Sequence, residues 1–557
     1  MSQDQTRQSA SLGTRSTSVG LLALALAATT GLGALPANGG APAAHELSRV
    51  LVTSAAGDVA AAAAAVQAAG GHVLHRLSLV GGVSAELPGG AVLAPSFRIT
   101  ADTPLQVAKA NDTNTGAPVT VRQTIGLPAA PDNEGRGVTV AVVDTGVADV
   151  PGLAGRVTHL DATGEGVGDG YGHGTFVAGL VAGGGDSSGA YAGVAPAARI
   201  LDIRVADKNG RTNLLTVLTG LEMVDPSTVQ VLNLSLSSGS PLPYQFDPLS
   251  QALETLWRRG VTVVVPAGND GPDATTVTSP GTDPLLLTVG GLDESGTAIT
   301  SDDVVADFSS RGPAPQGVAK PDLVAPASHL VSLRAPASFV DRSNPRSRVG
   351  EDYFRGSGTS FSTAVVSGAA AALLAARPGL TPGQVKALVT GTSYTAAALS
   401  DRNAAGAGGL DLAKASSTTA PAAPVEPVTT VPGDPNAWDA FVDALLRGDR
   451  KAAASSWSLL SPEARNWAAS SWSSLSPQAR NWAASSWSGR NWSGADGTAD
   501  EWAARNWAAR NWAARNWAAR NWSDDSWTAR NWSARNWSDG DWAGRNWSAR
   551  NWSGGWD

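Results

Sequence analysis

The sequence predicts an α/β protein built on a three-layer, doubly wound, mostly parallel sheet. A small α+β module precedes it and a tryptophan-repeat tail follows. Three observations carry this expectation. The runs "GVTVAVVD" (137–144) and "GVTVVVPAGN" (260–269) are apolar almost throughout, as strands covered on both faces must be. Between 112 and 415 such runs alternate with helical segments, the pattern of helices layered on a parallel sheet. Beyond 437 the composition breaks abruptly: 19 of the 20 tryptophans lie there.

The elements follow in order. Arg7 and Arg15 precede the apolar run "VGLLALALAATTGLGAL" (19–35), and "APA" (41–43) supplies small residues before Ala44 and His45. Residues 1–43 therefore read as a cleavable export signal, with a retained anchor as the alternative. Residues 44–111 contain "SRVLVT", an Ala-rich helical run, "HVLHRLSLV" and "GVSAEL", which read as strand, helix, strand and strand. Residues 112–415 form the large α/β domain. The stretch 416–437 is a Pro/Thr-rich linker, and 438–557 is the repeat tail. A net charge of −8 is spread along the chain rather than blocked, which argues against a nucleic-acid partner. With no cysteine, disulfide, thiolate and zinc-thiolate chemistry are excluded. No EF-hand-like carboxylate spacing appears, so no metal ligands are assigned.

The segment most suggestive of chemistry is "GSGTSFSTAVVSG" (356–368), hydroxyls crowded between glycines before a small-residue helix. By itself it reads first as a Gly/Ser turn leading into a helix. A hydroxyl nucleophile needs a base, and imidazole suits neutral pH. Among the six histidines, His45, His72 and His75 fall in the N-terminal module, and His159 and His329 sit in ordinary strand or loop contexts. His173 stands apart, set between glycines in "DGYGHGTFVAGLVAG" at a helix start. Asp144 closes the strand "VTVAVVD", where an open α/β sheet collects its functional groups.

Together "VAVVDTGV", "GHGTFVAG" and "GSGTSFSTAVVSG" resemble the three signature blocks of the subtilisin-like serine proteases, the subtilases, in Asp–His–Ser order. Further blocks agree: "GVAPAARILDIRV", "VLNLSLSSG", "VPAGND", "FSSRGP" and "KPDLVAPA". The resemblance implies that Asp144 orients the base, His173 is the general base and then acid, and Ser360 is the nucleophile. Asn269 matches the family's oxyanion-hole asparagine, and Ser235, Leu236 and Ser237 match the strand that pairs with extended substrate. It also implies polypeptide substrates and an N-terminal module that inhibits as a propeptide; the polar, non-periodic stretch "AKANDTNTGAPVT" near 108–120 is where self-cleavage is expected to release that module. The expected second helix of such a module is shortened to "GAVLAPSF". No cofactor is needed for the chemistry, and structural calcium is a family property with no ligands identified here. Departures are Ser237 for a usual Gly, Phe176 for a usual His, and Phe361, Ser362, Ala364 and Val365 after the serine. The expected product is a secreted serine endopeptidase; the alternative is a catalytically inactive surface-binding protein on the same fold.

From Trp457 to Trp552 the tryptophans fall at multiples of five, in units close to "ARNWA". Five matches neither the helical 3.6 nor the strand period of two, so no single face collects the indoles. The tail reads either as a low-complexity spacer or as an attachment segment for cell-wall glycan or a membrane surface.

Overall fold

The computed structural model describes residues 47–107, 121–127 and 134–427, apart from 95, 187–188, 239, 241 and 315–317, and then 438, 440–442, 455–456 and 459–460. The expected signal, the 108–120 cleavage region, part of the linker and nearly all of the tryptophan tail lie outside the described residues.

The N-terminal module is β1 (Leu47–Ser54), α1 (Val59–Ala68), β2 (His72–Leu77), β3 (Gly82–Pro88) and β4 (Phe97–Ala101), in an antiparallel sheet of order β2-β3-β1-β4. Asp58 starts α1 by accepting from the amides of Ala60 and Ala61, which satisfies two otherwise orphaned donors. The alanine-rich helix can lie close to the sheet because Ala62, Ala63 and Val66 pack directly on Val50, Val52, Val83 and Leu87. The expected short helix over "GAVLAPSF" is not formed. The described residues there run through turn and coil into β4, which gains strand pairing with β1 instead. The chain then leaves the module as β5 (Pro104–Val107).

After α2 (Val121–Thr124) the large domain begins with β6 (Thr139–Asp144), followed by β7 (Val157–Asp161), α3 (His173–Ala182), β8 (Arg199–Arg204), β9 (Arg211–Asn213) and α4 (Leu214–Glu222). Next come β10 (Val231–Leu234), β11 (Leu236–Ser237), α5 (Pro248–Arg258), β12 (Thr262–Pro266), β13 (Leu287–Asp293), β14 (Val304–Val305) and β15 (Leu323–Pro326). The central sheet runs β14-β13-β12-β10-β6-β8-β7, with β15 also on β13; its pairs are parallel except β13–β14. Chain order reverses at β6: later strands lie on one side as β10 and β12, and on the other as β8 and β7. The doubly wound sheet is thus observed. Val140 to Val143 are wholly buried, which explains why the sequence there shows no alternation.

A second small sheet pairs β16 (Leu330–Leu333) with β18 (Tyr353–Gly356), and β17 (Arg348–Val349) joins it beyond α6 (Phe339–Ser343). The 18-residue α7 (Thr359–Ala376) crosses the core and is 83% buried across its length. Its apolar composition therefore serves packing. Helices α8 (Pro382–Gly391), α9 (Arg402–Ala405) and α10 (Leu412–Ser417) complete the domain.

The start of the linker does not hang free. Arg377 donates to the carbonyls of Ala415 and Thr418, Gln384 to that of Pro421, and the Trp257 indole N–H to Glu426 at 2.9 Å. Trp438 is fully buried, its ring 5.2 Å from that of Phe246, whose other contacts include the Arg98 guanidinium of the N-terminal module.

Candidate active site

Asp144 is the last residue of β6 and His173 the first of α3. Glycine brings them together. Gly146 holds φ +101°, and a Cβ there would lie 2.1 Å from the Gly168 carbonyl; a Cβ on Gly174 would lie 2.2 Å from the Gly146 carbonyl. Only backbone without side chains lets the β6 turn touch the start of α3. The result is a buried pair, His173 Nδ1 at 2.8 Å from Asp144 Oδ1, with 1% and 0% side-chain exposure. The carboxylate also accepts from the Thr145 amide at 2.8 Å. An ionised acceptor on Nδ1 requires the proton there, which leaves Nε2 as the basic nitrogen. Nε2 is buried without a hydrogen-bond partner.

A further carboxylate underlies this pair. Asp169 accepts from Thr145 Oγ1 (2.9 Å), the Gly172 amide (2.6 Å), and both the amide (2.9 Å) and hydroxyl (2.6 Å) of Thr175. It ties the turn after β6 to the first turn of α3. Burial pushes its carboxyl up to about 6, against these hydrogen bonds, which lower it. Its place four residues before His173, in "DGYGH", is the signal that sequence reading passed over.

Ser360 is the second residue of α7, fully buried, with its carbonyl accepting from Ser235 Oγ at 3.3 Å. The next residue, Phe361, has its ring 5.4 Å from the His173 imidazole and 4.3 Å from that of Phe176. The two unusual aromatics thus form one wall behind the histidine. Asn269 comes from the loop after β12. Its Oδ1 accepts from the Thr359 amide at 3.0 Å and from Thr359 Oγ1 at 2.9 Å. Because a main-chain N–H can only donate, the amide orientation is forced. Nδ2, buried and without a partner, is the donor left over, next to the N-terminus of α7. That terminus adds its own partial positive charge.

Ser235 is buried and accepts from Asn233 Nδ2, whose other amide atom accepts from Ser367 of α7. Leu236 and Ser237 form β11, and β5 lies between β11 and β9 in a three-stranded antiparallel sheet. Val107 pairs with Leu236 and Gln106 with Ser237; on the other side Pro104, Leu105 and Gln106 pair with Asn213, Thr212 and Arg211. The N-terminal module also reaches α4 and α5. Glu222 accepts from Ser78 Oγ and the Leu79 amide, Thr255 donates to the Leu79 carbonyl, and Asp102 and the Thr103 carbonyl accept from the amides of Leu215 and Leu214.

His159, which the sequence presents as ordinary, is paired at 2.8 Å with the buried Asp202. Among the described residues no group of three His, Cys, Asp or Glu side chains could hold a metal ion.

A mostly parallel α/β sheet with a buried carboxylate at the carboxyl end of its central strand, bonded to a histidine at the head of the next helix, places this chain among α/β folds that gather functional groups at that edge. The chain belongs to the subtilase family of serine proteases, whose family profile matches residues 135–412. It is 43% identical to serine protease AprX of Bacillus subtilis (strain 168) over 269 residues, 46% of this chain and 61% of that protein. It is 33% identical to subtilisin BL of Lederbergia lenta over 275 residues, 49% of this chain and 88% of that one. Among solved structures it is similar to fervidolysin from Fervidobacterium pennivorans, a keratinolytic enzyme related to subtilisin, at 25% identity and a TM-score of 0.55 over 69% of this chain and 62% of the other. The chain thus spans somewhat under two thirds of AprX and of fervidolysin.

Proposed function

We propose that the protein is a secreted serine endopeptidase made as a self-inhibited precursor. The observation that carries this is the buried Asp144–His173 pair, with Nε2 left as the basic nitrogen, while the two neighbours of Ser360 are in contact with His173 (Phe361) and with the oriented amide of Asn269 (Thr359). His173 takes the Ser360 proton as Oγ attacks a peptide carbonyl, and returns it to the leaving amine. Asp144 holds the imidazole in the productive tautomer and stabilises its protonated form. Asn269 Nδ2 and main-chain amide at the α7 start receive the developing oxyanion. Water then hydrolyses the acyl-enzyme with His173 again as base.

Extended substrate backbone pairs with β11, the strand edge that β5 now covers. The N-terminal module therefore acts as the enzyme's own inhibitor, and cutting within 108–120 releases it. Residues 1–43 direct export. Structural calcium belongs to this proposal only as a property of the family, without assigned ligands. The tail, residues 438–557, attaches the enzyme to cell-wall glycan or a membrane surface, since regularly repeated indoles give many weak contacts that add through multivalency. Nucleic acid is not among the proposed partners.

Ser360→Ala tests the central claim. Casein hydrolysis should vanish and the precursor should accumulate uncut, the loss being about 10⁶-fold, as for subtilisin's own serine. A Ser360→Ala protein that still digests casein and matures would instead favour an inactive fold with contaminating activity.

A further inference from the structure

A second histidine–aspartate pair lies two strands from the candidate catalytic one. His159 on β7 and Asp202 on β8 are cross-strand partners, and Asp202 is in turn the β8 partner of Val142 on β6. The His159 Nδ1 to Asp202 Oδ2 distance is 2.8 Å, with 20% and 1% side-chain exposure. The same Oδ2 accepts from the Val147 amide at 3.0 Å. Val147 is three residues past Asp144, so Asp202 holds the far end of the turn whose near end holds the Asp144 carboxylate. Asp202 Oδ1 is buried without a partner.

We propose that His159 is a positioning residue: acting through Asp202, it fixes the turn after Asp144 and balances the negative charge beside the Asp144–His173 pair. This rests on the peptidase reading above. The physical argument is a count of charges. Asp202 and Asp144 are buried carboxylates close enough to act on each other electrostatically. Burying two like charges is costly unless a cation neutralises one. The groups around them are Asp149 after β6, 3.5 Å from His159 Nε2; Asp169, bound to Thr145, Gly172 and Thr175; Arg204 on β8, whose guanidinium is bound to Glu165; and His173 on α3. His159 alone of the cationic groups among these touches Asp202. The hydrogen bond to Asp202 in turn holds the His159 imidazole above its ordinary range, with Asp149 adding to it, against burial.

The variants His159→Gln, Asp202→Asn, the double variant and His159→Arg test this, each expressed as the full chain and assayed after maturation. For each, kcat/KM on an uncharged chromogenic peptide is followed against pH, and the acidic limb reports protonation of His173. His159→Gln keeps a donor for Asp202 but leaves its charge unbalanced, so the limb should move up by about half a pH unit. Asp202→Asn keeps an acceptor for Val147 and removes the negative charge, so the limb should move down by a similar amount. The double variant and the charge-preserving His159→Arg should both lie near the parent. Coincident limbs in all variants, or shifts of one sign in both single variants, would overturn the inference. Ser360→Ala assayed alongside separates the two claims: hydrolysis by that variant sinks the peptidase reading, whereas coincident limbs with an inactive Ser360→Ala sink only the role of His159.

Discussion

Val107, where the described part of the N-terminal module ends, is the cross-strand partner of Leu236. Two residues earlier Leu105 is 2% exposed and belongs to the core of the large domain, not to the core of its own module. The module is thus held by a strand laid along the edge expected to receive substrate, and Leu105 joins Leu51, Leu77 and Leu79 in anchoring it to the core of the large domain.

Leu105→Ala should therefore weaken self-inhibition without touching the proposed catalytic groups. Losing a buried leucine at such an anchor costs about 2 kcal/mol or more, roughly a 30-fold loss of affinity. The check is the inhibition constant of the released module, parent against variant, on mature enzyme. Equal constants would mean that contacts at α4 and α5 alone hold the module.

Asn269 and Thr359 should show a graded pair of effects. Asn269→Ala removes the oriented donor and should lower kcat by about 10²–10³-fold, the cost seen on losing an oxyanion donor in subtilisin. Thr359→Ala removes only one of the two groups that hold Asn269 Oδ1, because the main-chain amide remains. It should lower kcat by less than about tenfold, with KM little changed. A Thr359→Ala variant as impaired as Asn269→Ala would mean that the hydroxyl itself carries the effect.

Asp169 gives a signed dependence on pH. Its folded carboxyl keeps a proton up to about 6, whereas the ordinary value is 3.8. Between those values the folded state binds more protons than the unfolded one, so this group's contribution to stability falls as pH rises through that window and is level above it. Measured in a Ser360→Ala background to prevent self-digestion, the stability of the parent relative to Asp169→Asn should decline between about pH 4 and pH 6. A difference that grows over this range would show that the four hydrogen bonds outweigh burial.

Truncation after 415 should leave the proposed catalytic groups in place yet destabilise the domain locally. Trp257 would lose the Glu426 carboxylate on its indole, and Phe246 would lose the buried ring of Trp438. A chain ending after 460 keeps both contacts. The shorter chain should hydrolyse soluble peptide with near-parental kcat but show a lower Tm and faster cleavage near α5 by an added protease. Identical melting of the two chains would mean that the 418–442 segment contributes nothing to the domain. Surface retention is read separately: the full chain should sediment with cell walls or membranes, and a tail with its tryptophans changed to alanine should not.

Much of this was legible in the sequence because it is written locally. The doubly covered strands are unbroken apolar runs, since both faces of each strand must be apolar. His173 at the head of α3 and Ser360 at the head of α7 each sit where glycine and small residues mark a close approach. Other parts were invisible because they depend on which strands become neighbours. Asp202 and His159 are 43 residues apart, and only the parallel β7–β8 register makes them partners. Phe176 and Phe361 read as two unrelated departures until packing of α3 on α7 stacks them behind one imidazole. Glu426 looks like an ordinary linker residue until the chain folds back over α5. The sequence alone determined the doubly covered strands and singled out the residues proposed to bear the chemistry, because local periodicity and backbone permissiveness are local properties. The tertiary structure decided the partners of buried charges and rings, because desolvation penalises an unmatched group wherever along the chain its match happens to lie.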